Sequence, residues 1–106
     1  AHLVENPYKI LLEIIIKPKY FNKEYMTEVA KRIKLQYCDF NTISVAIFDS
    51  KEALLGWHYD LVTTEGRIDR RRGVYFFDRK TGEEALEFST KPGNPINEIT
   101  IKFSDP

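Results

Sequence analysis

The sequence predicts an α+β fold: a single layer of mainly antiparallel, five- or six-stranded sheet, with one long helix at residues 22–37 packed on one face, in the order β-α-β-β-β-β. Three observations carry this prediction. Residues 10–16 and 42–48 are apolar runs of strand length, and the segment between them repeats its apolar residues at helical spacing. Everything after residue 56 reads as hairpin-forming strands, ending in the alternation Ile99, Ile101, Phe103. A β-α-β opening followed by β-rich sequence builds one sheet with a helix across it. If the first two strands are parallel, that crossover is right-handed.

The first strand sets Ile10, Leu12, Ile14 and Ile16 on one face and Leu11, Glu13 and Ile15 on the other. Both faces are largely apolar, as in a strand covered on both sides. Pro18 stops it, because proline cannot donate to a ladder. Asn22 fits a helix N-cap, with Glu24 in the first turn against the positive helix end. Met26, Val29, Ala30, Ile33 and Tyr37 then form the stripe of a helix seated on a sheet, while Lys23, Glu28, Lys31, Arg32 and Lys34 face water. In the next strand Ile43, Val45 and Ile47 alternate with Ser44, Ala46 and Phe48. The small Ser44 and Ala46 leave room for the helix, or another backbone, to come close. Asp49 with Glu52 fits a capping box, which predicts a helical turn over residues 50–55 that Gly56 ends.

Residues 57–63 resume as a strand, and residues 64–72 form a charged connection turning at Gly66. Residues 73–78 and 84–89 form a hairpin whose loop carries Gly82. A stiff connection at residues 91–95, with two prolines, precedes a last strand at residues 98–103. That strand belongs at a sheet edge, with Lys102 as its one protective charge.

With 106 residues the chain is one domain with a sizeable core. Sixteen basic and sixteen acidic residues cancel, so global charge argues for no nucleic-acid or membrane partner. Zero net charge does little to oppose self-association, so a homodimer through edge pairing or face-to-face packing stands as an expectation beside a monomer. The longest apolar run is broken by Glu13 and ended by Lys17-Pro18, so no membrane span is expected. The chain begins without Met and shows no signal peptide, and Ala1-His2 reads as a cloning remnant. The expectation is a soluble domain, cytoplasmic or cut from an anchored exported protein.

Cys38 is the single cysteine, which excludes an intramolecular disulfide and any CxxC site. Its place just past a helix C-terminus disfavours a thiolate, so it is read as a small buried hydrophobe rather than a partner for His58. Trp57-His58-Tyr59-Asp60 is the most suggestive tetrapeptide. As a strand it sets Trp57 and Tyr59 on one face and His58 and Asp60 on the other. Arg67, Arg70, Arg71 and Arg72 form the one basic concentration, diluted by Glu65 and Asp69 and followed by Tyr75, Phe76 and Phe77. Charge interleaved with rings can neutralise phosphates and stack bases. The run from Arg72 to Phe77 echoes an RNA-recognition signature in its basic-glycine start but lacks the partner aromatic motif on the first strand.

The progression Pro7-Tyr8-Lys9-Ile10, the helix with Val29-Ala30-Lys31-Arg32-Ile33, and above all the stretch from Asn41 through Phe48-Asp49-Ser50-Lys51-Glu52 resemble small uncharacterised bacterial domains of β-α-β form. The resemblance implies the fold and carries no activity; such domains often sit behind a lipoprotein or membrane anchor.

The function that best fits these residues is a non-catalytic interaction or small-ligand module, with a protein or small molecule as its partner. It would use the sheet face the helix leaves uncovered, with Trp57, His58, Tyr59, Asp60, Tyr75 and Phe77 as contacts. Two alternatives stay open. One is single-stranded nucleic-acid binding through Arg67, Arg70, Arg71 and Arg72 with the adjacent rings. The other is a metal- or His-dependent hydrolase built on His58, Asp60 and an acid from Asp49 or Glu52. No residue is assigned to catalysis, to a metal or to a cofactor.

Overall fold

The computed structural model describes the backbone of residues 2–6, 8–59 and 71–103, and the side chains of residues 8–57 and 71–103. Its elements are β1 (His2–Asn6), β2 (Lys9–Ile15), a 3-10 turn at Pro18–Tyr20, α1 (Lys23–Gln36), β3 (Thr42–Phe48), α2 (Lys51–Tyr59), β4 (Gly73–Asp78), β5 (Glu84–Phe88) and β6 (Ile99–Lys102). Chain order is also spatial order, so β1 to β6 lie side by side in one sheet. The fold is α+β, as expected. The sheet, however, is mixed rather than mainly antiparallel. β2 and β3 run parallel, and every other neighbouring pair is antiparallel. The cause is α1, whose helical crossover carries the chain back along the sheet before β3 begins beside β2.

α1 begins where its sequence says. Asn22 is extended, and its side-chain oxygen accepts the Tyr25 N–H at 2.9 Å. Met26, Ala30 and Ile33 are buried. They pack on Ile10 and Leu12 of β2, Ile43, Val45 and Ile47 of β3, Tyr75 and Phe77 of β4, and Leu86 and Phe88 of β5. These residues alternate along their strands and therefore share one sheet face. That face is the core. Apolar side chains of this size contribute about 1.5–3 kcal/mol each on full burial, which fixes the register of every strand that supplies them.

Three local expectations are corrected. A second helix stands where one long helix was expected: α2 runs through Gly56 to Tyr59, so Trp57 to Tyr59 do not begin a strand. A mid-helix glycine costs about 1 kcal/mol, and the contact of Trp57 with Phe48, at 6.3 Å between ring centroids, offsets it. The cap of α2 is Ser50, whose hydroxyl accepts the Ala53 N–H at 3.0 Å, and not Asp49. Cys38 is exposed, because the turn after α1 carries it away from the sheet. β1 adds an N-terminal strand that the sequence reading did not foresee. Gly82, at φ 78°, takes the left-handed place in the β4–β5 hairpin.

Among the described residues no helix is long and apolar enough to cross a membrane.

Candidate ligand trough on the open sheet face

The face opposite α1 is built by the residues between the core positions. Because strand pairing is known, it can be read rung by rung. Leu11 of β2 stands beside Ser44 of β3, which stands beside Phe76 of β4. One rung along, Glu13 stands beside Ala46, which stands beside Val74. The central strand therefore carries small side chains, and its neighbours carry larger ones. A trough follows directly from that size order. It is a hollow of about 500 Å³ bordered by Leu11, Glu13, Ser44, Ala46, Val74, Phe76 and Arg71, within the usual range of small-molecule sites.

One end of the trough is closed. Phe48, next on this face of β3 after Ala46, is fully buried although it lies outside the α1-side cluster. Trp57 of α2 packs on its ring, and the Arg71 guanidinium sits 4.8 Å from the centre of the Trp57 ring. α2 touches β2 and β3 from this side. Its role is to cover the Phe48 end of the open face and leave the Ser44–Ala46 floor accessible. Ser44 and Ala46 thus do not admit the helix, as their size had suggested; α1 lies on the other face.

The sequence-predicted site residues separate into three groups. Trp57 and Arg71 are brought together at the closed end of the trough. Tyr75 and Phe77, expected as contacts on the uncovered face, instead belong to the core under α1, at 1% and 6% exposure. No base or ligand can stack on rings so enclosed. The Tyr75 hydroxyl donates to Glu84 Oε2 at 2.7 Å. Burial first, and the Glu84 carboxylate second, push that hydroxyl far above the usual tyrosine range. Lys34 of α1 bonds the other Glu84 oxygen at 3.1 Å. His58 and Tyr59 lie on α2 by their backbone, and their side chains, with Asp60, Arg67 and Arg70, fall outside the described residues. His58 stands on a helix and not on the strand expected for it.

Arg72 is not a surface charge. It is 4% exposed. Its Nη1 donates to Asp49 Oδ2 at 2.7 Å, its Nε to the Ser89 hydroxyl at 3.1 Å and its Nη2 to the Ser89 carbonyl at 3.1 Å. The guanidinium also lies 4.4 Å from the Phe21 ring centre. One side chain therefore ties the ends of β3 and β5 to the segment before β4. A second hollow of about 520 Å³ lies against Asp49, Arg72, Ser89 and the 92–96 connection. Asp49 and Arg72 there are already spent on each other, which makes that part of the hollow a structural joint, and Arg71 borders it as well. Of the two described arginines of the proposed surface, Arg71 stands at the trough and Arg72 does not.

Leu11, Ser44, Ala46 and Val74 are the residues the sequence reading did not assign, and Phe76 entered it only among the rings beside the arginines. Their signal is a small residue flanked on both sides by larger ones, and it appears only once the register is known.

No family model, curated protein or solved structure matches the chain.

Proposed function

We propose that the protein is a non-catalytic binding module whose ligand is a small, mostly apolar molecule held in the trough over Ser44 and Ala46. The observation that supports this reading is the size order across β2, β3 and β4, which opens a hollow of about 500 Å³ on the sheet face opposite α1. Leu11, Val74 and Phe76 supply apolar walls. The Ser44 hydroxyl gives the floor one donor and acceptor, and Arg71 with Glu13 gives the rim charge of both signs. A ligand with an apolar body and one polar end meets all of these.

The test uses the native protein and the fluorescent probe anilinonaphthalenesulfonate, an apolar body with one anionic end. The wild type is expected to bind it at one saturable site while remaining folded. Ala46→Phe fills the floor and should weaken binding by about tenfold or more, equal to about 1.4 kcal/mol. Leu35→Ala, on the exposed side of α1 at 75% exposure, should leave binding unchanged. Equal binding by wild type and Ala46→Phe would remove the basis of the reading.

A further inference from the structure

The closed end of the trough holds a cation in a setting that selects a ligand. Phe48 is fully buried there, Trp57 packs on it, and the Arg71 guanidinium lies 4.8 Å from the Trp57 ring centre. A cation over a ring is held through its charge and not through its N–H groups. Arginine has five donors in a rigid fork, so Arg71 can serve a ligand beside its other contacts. Phe48 and Trp57 keep water from that side of the group, which strengthens a charge-assisted hydrogen bond. Glu13, the other charge at the rim, stands differently. It lies on the β2 side wall, beside Ala46. Beyond Ser44 the apolar span ends at a polar rung, where Lys9 stands beside Thr42 and Thr42 beside Asp78. From Thr42 to Phe48, β3 covers about 20 Å.

We infer that the trough takes a monocarboxylate with an apolar tail, its head at Arg71 and its tail along β3 toward Thr42. This rests on the trough as the binding site and adds the charge, the chemical class and the direction of the ligand. A head at the closed end lets the tail lie over both Ala46 and Ser44, between Leu11 on one side and Val74 and Phe76 on the other. An ammonium held by Glu13 would start partway along the floor and leave the space toward Phe48 unused. A carboxylate is planar, and its two oxygens match two N–H groups of the arginine fork. It also carries a single charge. A phosphate monoester carries about 1.5 to 2 negative charges near neutral pH, and Glu13 on the side wall opposes the excess.

The experiment titrates the whole chain with ligands that share one tail and differ in the head: octanoate, 1-octanol, octylamine and octyl phosphate, each below its micellar concentration. Binding is read from the fluorescence of Trp57, the one tryptophan of the chain, and from displacement of anilinonaphthalenesulfonate. Octanoate should bind tightest, by about tenfold or more over octanol. Arg71→Gln should bring octanoate down to the level of octanol and leave octanol unchanged. Arg71→Lys keeps the charge but loses the fork, and should bind octanoate more weakly than the wild type; it decides the matter should Arg71→Gln fail to fold. If octanol, octylamine or octyl phosphate binds as tightly as octanoate, and Ala46→Phe weakens every one of them, the trough stands and the carboxylate assignment is overturned. Octanoate binding that neither Arg71 variant alters overturns it as well. If no ligand of the series binds, the trough and the carboxylate fall together.

Discussion

Adjacent residues of the same strands build the two faces of this sheet, and the faces do opposite things. Ile43, Val45 and Ile47 of β3 are buried under α1, whereas Ser44 and Ala46 between them floor a hollow. On β4 the contrast is sharpest at Phe76 and Phe77, neighbours in sequence. Phe77 is enclosed, with Lys34 of α1 over its ring at 4.4 Å. Phe76 is a half-buried wall of the trough. One face is filled with large side chains to exclude water; the other has its middle strand stripped to small ones. The core face is apolar on every rung, whereas the open face mixes Leu11, Val74 and Phe76 with Glu13, Ser44 and Ala46, and it is this placement across the rungs that separates core from site.

The largest effect that would break this comparison is at the two phenylalanines. Phe77→Ala should lower stability by about 3–5 kcal/mol, the range for an enclosed aromatic. Phe76→Ala should cost about 1 kcal/mol, since much of its side chain stays accessible. Chemical denaturation of the two variants reads the difference. Equal losses would mean that the open face is packed as a second core, and the trough would then be a packing feature.

A somewhat smaller effect is expected at the joint between the faces. Arg72→Leu leaves Asp49 and Ser89 without their shared partner and should destabilise by about 3 kcal/mol. Arg71→Leu, one residue earlier, should cost less than about 1 kcal/mol, because a partly exposed charge contributes little. Thermal unfolding of both variants tests whether the basic segment divides into a structural and a surface arginine as described.

The smallest effect is at Tyr75. Its raised pKa on folding means that its contribution is fully present below about pH 10, the ordinary tyrosine value, and is lost as pH rises toward the folded-state value. In a spectrophotometric titration, one of the six tyrosines should resist ionisation until the chain unfolds at alkaline pH. Tyr75→Phe should remove that resistant step. All tyrosines ionising together in the folded protein would contradict the enclosure of the α1 face.

Much of the fold was legible because its signals are local. The cap at Asn22, the Met26–Ala30–Ile33 stripe and the alternation in β3 and β4 each require only neighbouring residues. The parallel β2–β3 pair was less so, since strand direction depends on where the chain lands after α1. α2 was obscured by Gly56, a breaker in isolation that the seating of Trp57 on Phe48 overrides. The site was barely legible. Aromatic residues drew attention to Tyr75 and Phe77, yet a ring on a strand is as apolar in the core as on a ligand surface, and only the face decides. The basic run misled for the same reason: nothing in Arg71-Arg72 tells which arginine turns inward to Asp49.

The most direct test of the account is where an apolar probe touches the protein. With methyl-labelled protein and anilinonaphthalenesulfonate, NMR should show intermolecular contacts to the methyl groups of Leu11, Ala46 and Val74. Those of Ile43, Val45 and Leu86, in the same sheet but on the α1 face, should show none. Contacts to the second set, or to neither, would contradict a binding trough on the open face.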